Sequence, residues 1–313
     1  MFRHTRPYLL LAFIAIFLVS FAAFSQQATP TTPITTTVTV LGPDYKPAPE
    51  IAKSDVNAYS EKTRLDILRW QHAQTNGGDL EFAILIDDAI RTSLIGTQLS
   101  DLGNFIDSLP PNSSIGVFYA QNGSAAAAAP FGTEHPKAAQ SVRLTLGGAS
   151  GASPSIYLSL ADLVKHWPGD DRARREVLLL SSGNDALNPG FSDPYLDSTI
   201  DTLHKAGVVV HTIYLGSNRY GLSLRGNASQ GKLAELSEGT GGQVLNGLPS
   251  APVSLAPFLT NLNTVLANQY VLTVGMEQSK KKDGELRPLE IRTEQRNLKI
   301  TVPKVVFVPA TAG

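Results

Sequence analysis

Two adjacent carboxylates, Asp87 and Asp88, close an apolar run, and a guanidinium follows at Arg91 in the same stretch, "LEFAILIDDAIRTS" (Leu80–Ser93). Carboxylates at the end of a buried strand are hard oxygen donors of the kind that hold Mg²⁺ or Ca²⁺. An arginine so close works against that use, because a guanidinium is always charged and repels a cation held beside it. Arg91 then becomes the expected partner of Asp87, its charge standing in part for a metal's. A second reading leaves Arg91 in solvent.

Little else in the chain competes for a chemical role. There is no Gly-x-Ser-x-Gly elbow, no His-Glu-x-x-His and no phosphate-cradling loop. Cysteine is absent from all 313 residues, which removes disulfides, thiolate metal sites and cysteine nucleophiles together. His211 lies in an apolar run and reads as a hydrogen-bonded core residue. His166 and His204 fall near helix C-termini, where an imidazolium complements the dipole. Ser181 and Ser182 read as loop and cap hydroxyls rather than nucleophiles. Asn112, Asn122 and Asn227 begin glycosylation triplets, which arise often by chance. A formal net charge of −1 leaves no electrostatic footprint for nucleic acid. The expected class is therefore a binding protein and not an enzyme.

The elements that position these residues alternate. Phe82–Ile86, Ser114–Ala120, "REVLLLSS" and "VVVHTIYLG" are continuous apolar runs, the mark of strands buried on both faces of a parallel sheet. Between them, Leu99, Leu102, Phe105, Ile106 and Leu109 recur at helical spacing until Pro110 and Pro111 stop them. Pro154–Trp167 has a helical pattern too. "DPYLDSTIDTLHKAG" predicts a helix capped by Asp193 and ended by Gly207, and "QGKLAELSEGTGG" another that runs into a glycine turn. The stretch "QNGSAAAAAPFG" reads as a hairpin or loop.

In this order the chain resembles the von Willebrand factor type A (VWA) domain, in the secreted form typical of acidobacteria. The likeness is carried by "FAILIDD", "RREVLLLSSGND", "GVVVHTIYLG" and "LAELSEGTGGQVL", with a preceding segment "VTVLGPDYKPAPEIAKSDVNAYSE" and a following one beginning "YVLTVGMEQSKKKDGE". The resemblance implies a doubly wound, mostly parallel sheet flanked by helices over residues 78–250. It also implies a metal-ion-dependent adhesion site built from an Asp-x-Ser-x-Ser loop, a threonine and an aspartate. Here Asp87 holds the first position, but Ala89 and Arg91 stand where the two serines belong. Ser153, or Ser155 as second choice, replaces the threonine, and Ser182 occupies the place of the last aspartate. The site is thus expected to be degenerate, with no cofactor and no tightly held Mg²⁺. A weak, irregular Ca²⁺ or Mg²⁺ site using Asp87, Ser153 and Asp185, or Asp88, stays open. What remains is a partner-binding rim of Asp87, Asp88, Ala89, Arg91, Ser93, Ser153, Ser155, Ser182 and Asp185.

Around this domain, residues 1–25 read as a signal peptide cleaved after Ser25, or as an uncleaved anchor. Residues 26–34 read as a flexible lead-in, and residues 35–75 as a β segment. Residues 252–309 begin with a helix striped by Leu255, Leu259, Leu262 and Leu266, expected to pack on the β segment. Strands follow, with "KKKDGE" as the tip of a hairpin. The two β segments are expected to pair as one small β-sandwich from which the VWA domain is inserted. The expected protein is secreted or periplasmic and binds a protein partner. An envelope scaffold and a metal-dependent adhesin are the alternatives.

Overall fold

β-Branched residues favour the pleated, half-buried surface of a sheet, and in the computed structural model Thr31–Leu41 forms strand β1. The strand thus begins four residues before the expected Thr35, so residues 31–34 belong to it and not to a flexible lead-in. The structure describes residues 31–73, 79–147, 155–168, 174–185, 192–216, 224–247 and 250–310. The leader and its cleavage site lie outside these, as does Ser153.

Two short strands follow, β2 (Val56–Ser60) and β3 (Thr63–His72). The chain then enters an α/β layer of β4 (Leu80–Asp87), α1 (Thr92–Ile95), α2 (Leu99–Ser108), β5 (Ser114–Gln121), β6 (Ser124–Gly132), α3 (His135–Gln140), α4 (Ile156–Lys165), β7 (Arg174–Ser181), α5 (Pro194–Ala206), β8 (Val208–Tyr214), α6 (Leu224–Thr240) and α7 (Ala256–Ala267). Five strands close the chain: β9 (Gln269–Glu277), β10 (Glu285–Pro288), β11 (Glu290–Thr293), β12 (Lys299–Thr301) and β13 (Val305–Val308).

All eight residues of β4 are buried, as a strand covered on both faces requires. It pairs in parallel with β5 and β7, β7 pairs in parallel with β8, and β6 returns antiparallel along β5. The spatial order is β6-β5-β4-β7-β8. Counted within this layer that is third, second, first, fourth, fifth, and a parallel bridge from Thr212 to Val244 adds a sixth position. This is the doubly wound order, and its direction reverses between β4 and β7, where the carboxyl ends of the strands leave a crevice.

Period-two alternation divides the layer's core. Phe82, Ile84 and Ile86 face α2 and α7, whereas Ala83 and Leu85 face α4, α5 and α6. The leucine stripe of α7 therefore does not cover the β segments as expected. Leu255, Leu259, Leu262 and Leu266 pack beside Leu102 and Phe105 on the α/β sheet, because that face would otherwise present a row of large apolar side chains to water. α5 is held as its sequence predicts: the Asp193 carboxylate accepts the N–H groups of Tyr195 and Leu196, and Gly207 ends the helix at φ 64°.

The remaining strands form a six-stranded antiparallel sheet, β11-β2-β3-β9-β1-β12, and a separate ribbon, β10-β13. Val38, Leu272 and Val274 from the sheet and Val306 and Val308 from the ribbon share one apolar cluster. "KKKDGE" is not a hairpin tip, since β9 pairs with β1 and β3 while β10 pairs with β13. The chain leaves the sheet at the end of β3 and returns beside it at the start of β9, where His72 opposes Tyr270 and the Ala73 N–H donates to the Gln269 carbonyl at 2.7 Å. Arg174, 1% exposed, fastens this junction: Nη1 donates to the Leu266 carbonyl (3.0 Å) and to Gln269 Oε1 (2.8 Å), and Nη2 to Asp79 Oδ1 (3.1 Å). The "GTGG" turn needs its glycine, because a Cβ on Gly242 would lie 1.9 Å from the Val210 carbonyl oxygen.

Candidate functional site at the crest of the parallel sheet

β4 and β7 end side by side, so Asp87 and Ser181 meet at the switch point. Asp87, 3% exposed, accepts from Ser181 Oγ on Oδ2 (3.0 Å) and from the Ala89 N–H on Oδ1 (3.1 Å), with the Ser182 N–H adding a third bond. Burial raises its pKa above the ordinary carboxylate value, the nearby charge of Asp88 adds to the rise, and these donors do not restore it. Gly183 follows at φ 63°, and its N–H returns to Ser181 Oγ at 2.9 Å, which turns the loop sharply after the strand.

Asp88 is answered by a residue 55 positions away. Arg143 donates Nη1 to Oδ1 (3.1 Å) and Nη2 to Oδ2 (2.9 Å), a bidentate pair in which the carboxylate side chain is fully inaccessible and the arginine 40% exposed. Gln121 Nε2 and the Leu146 N–H (2.8 Å) complete the shell. Burial alone would raise the Asp88 pKa; the bonds from Arg143, Gln121 and Leu146, with the guanidinium charge, outweigh it and lower the value. The guanidinium also lies 3.8 Å over the Tyr119 ring, whose hydroxyl exchanges hydrogen bonds with the Arg143 backbone. Thr145 Oγ1 donates to the Ile90 carbonyl (2.8 Å), so residues 143–146 strap the acidic loop from above.

The expected pairing of Arg91 with Asp87 is therefore corrected. Arg91 is exposed, and its guanidinium has no partner among the described residues. Asp87 is satisfied from within by Ser181 and two backbone N–H groups, and the cation that meets the acidic pair is Arg143. Ala89 is half-buried and Ser93 exposed in α1. Ser155 Oγ donates to Asp185 Oδ2 at 2.7 Å, with both residues buried. Ser182 is half-buried at the mouth of the crevice. Arg143, Ser181 and Gln121 were missed because nothing in their local sequence ties them to Asp87 and Asp88; only the strand order does.

Beside this cluster lies a cleft of about 190 Å³, lined by Ile90, Arg91, Leu94, Ser182, Asn184 and Leu215 among others. The rim above carries two exposed leucines, Leu144 (47%) and Leu146 (52%). Behind the crest the Tyr157 hydroxyl is buried without a partner among the described residues, and its pKa stands well above 10 through burial and the negative field of Asp193, Asp185, Glu235 and Asp87. Away from the crest, His211 is fully buried: its Nδ1 accepts the Gln243 N–H, so its proton sits on Nε2 and is donated to Glu176 at 2.7 Å. Among the described residues no three His, Asp or Glu side chains gather to hold a metal ion, and no helix is long and apolar enough to cross a membrane.

No family model matches the chain, and neither does any curated protein. Solved structures do match it. Among its structural neighbours is a von Willebrand factor type A domain. One is an aerotolerance-related membrane protein from Bacteroides fragilis, 11% identical, covering 60% of this chain and 98% of the other with a TM-score of 0.44. The VWA domain of SpRpn10 is 14% identical, covers 57% and 93%, and scores 0.41. Proximal thread matrix protein 1 from the mussel byssus, with a zinc-occupied adhesion motif, is 15% identical, covers 60% and 47%, and scores 0.41.

Proposed function

We propose that the chain is a secreted or periplasmic protein-binding module of the VWA type, carried on a small β-sandwich of its N- and C-terminal segments. Its crest meets a protein partner without a bridging metal ion, and its role is recognition, not turnover. The observation that carries the reading is the bidentate Arg143–Asp88 pair beneath the rim. An octahedral Mg²⁺ needs outward-facing oxygen donors. Asp87 is turned onto Ser181 and the Ala89 N–H, Asp88 onto Arg143, and the next positions offer a methyl at Ala89 and a cation at Arg91. Such a donor set does not fit the ion. The exposed Leu144 and Leu146 supply apolar contact area on the same rim.

The test is capture of a partner from envelope extracts by the intact chain, with and without chelator. Capture is expected to survive chelation and to be lost in Ser93→Arg and Leu146→Asp. Loss on chelation would instead favour a metal-dependent adhesin. Capture unchanged in both variants would favour a scaffold whose crest is passive.

A further inference from the structure

A second cleft opens on the flank of the α/β layer, lined by none of the rim residues, between α6 and the sixth position of the sheet. We infer that it holds one ring of a neutral oligosaccharide. Asn227 and Gln230 meet the sugar's hydroxyls, and Leu233, Ala234 and Val244 its carbon–hydrogen face. The inference goes beyond the protein-binding reading above and does not rest on it.

Asn227, Gln230, Gly231 and Ala234 recur at helical spacing and bring one face of α6 to the cleft. Val244, Asn246 and Gly247, from the segment bridged to β8, supply the facing residues. Two glycines among these have no explanation in the protein itself. Neither Gly231 nor Gly247 lies in the left-handed region, and a Cβ on either would meet no protein atom within 4 Å. Gly231 also sits inside a helix of 17 residues, where glycine is the poorest former after proline. Gly242, close by, is by contrast required by the Val210 carbonyl against it. What Gly231 and Gly247 keep open is the cleft.

The lining sets the ligand's chemistry. Among the described residues no charged side chain lines the cleft, so an ion entering it would give up water without gaining a counter-charge. Asn227 is exposed, and its amide has no hydrogen-bond partner among the described residues. Gln230 is held by the Tyr214 hydroxyl, and Asn246 by the Tyr214 backbone, accepting its N–H at 2.6 Å and donating to its carbonyl at 2.9 Å. These bonds fix the two amides in place. An amide offers a donor and an acceptor side by side, the pairing that adjacent sugar hydroxyls present in return. The volume, about 300 Å³, stands at the lower end of the ~300–1,000 Å³ of small-molecule pockets and suits a single ring. A wholly apolar molecule would leave the Asn227 amide unanswered, whereas a sugar meets both the amides and the aliphatic wall.

The experiment passes the intact chain over an array of neutral hexose and N-acetylhexosamine trisaccharides, their sialylated and sulfated counterparts, and uncharged peptides. Neutral glycans should be retained over the charged ones, and the free trisaccharide should compete as well as the same glycan on a carrier protein. Calorimetric titration with the retained trisaccharide should show about a tenfold loss of affinity in Asn227→Ala, the size of one hydrogen bond left unmade, and no binding in Gly231→Leu, whose side chain fills the cleft. Because leucine favours the helix, Gly231→Leu should melt about 2 °C above wild type, which separates a blocked cleft from an unfolded chain. Retention of no neutral glycan, preference for charged glycans or for peptides, a need for the carrier, or titrations unchanged in Gly231→Leu would each overturn the assignment. Partner capture lost in Leu146→Asp should persist in Gly231→Leu. If Gly231→Leu also abolishes it while no sugar binds, the cleft takes protein and the sugar assignment falls, with the binding reading intact.

Discussion

Removing Arg143 should loosen the crest more than its exposed position suggests. In Arg143→Met the Asp88 carboxylate, inaccessible to water, loses two of its four donors and its one counter-charge among the described residues. Breaking a buried pair by removing one partner costs about 3–5 kcal/mol, whereas exposed pairs contribute about 0–1 kcal/mol. With Arg143 40% exposed and the Leu146 N–H and Gln121 still in place, the loss should fall between, at about 2 kcal/mol. For a chain of this size that is roughly 3–4 °C in Tm. Asp88→Asn in the same background should recover part of it, giving a coupling of about 1–2 kcal/mol in a double-mutant cycle read by thermal melting. The folded pKa of Asp88 is lowered, so the pair's contribution is present above the unfolded carboxylate value of about 4 and is lost as pH falls through the folded value. The gap between wild type and Arg143→Met should therefore close in acid. Millimolar Mg²⁺ should raise the melting temperature of the variant, whose carboxylate is freed, and leave the wild type unmoved. A variant melting within about 1 °C of wild type at neutral pH would refute the inference that this pair holds the loop.

Other perturbations test neighbouring claims. Asp87 has a raised folded pKa, so its ionisation costs stability as pH rises through that value; Asp87→Asn should match or exceed wild type near neutrality and flatten the pH dependence above about 4, and a loss of about 2 kcal/mol in urea titrations would contradict this. Tyr157→Phe removes a buried hydroxyl that has no partner among the described residues and should be neutral or stabilise by about 1 kcal/mol, read by calorimetry. Arg174→Met should destabilise by about 3 kcal/mol, and hydrogen exchange should quicken first at Gln269 and Tyr270, because Arg174 grips the Leu266 carbonyl and Gln269.

What the sequence disclosed follows from how far each signal reaches along the chain. β4 announces itself because all eight of its residues are buried, and α5 because Asp193 and Gly207 punctuate it within a single helix. β6 was harder to read: five alanines in a row carry little strand preference, and they adopt one because Asn122 and Gly123 turn the chain back along β5. The leucine stripe of α7 was visible, but its target was not, since a stripe says only that some apolar face must cover it. At the crest, Asp87 and Asp88 stood out by type and position. Their partners did not, because Arg143 reaches Asp88 through tertiary structure and no spacing rule connects positions 55 apart. Arg91 misled for the same reason: proximity in sequence to an aspartate is weak grounds for contact once the strand end turns one side chain inward and the other out.

The way the α/β layer is spliced into the six-stranded sheet has a mechanical consequence. Its two connections leave from neighbouring antiparallel strands, β3 and β9, with β2 outside one and β1 outside the other. Tension applied at the crest would draw both strands the same way, sliding them against β2 and β1 across whole ladders of hydrogen bonds instead of unzipping those bonds one at a time. A tethered ligand could thus load the molecule without peeling its base apart.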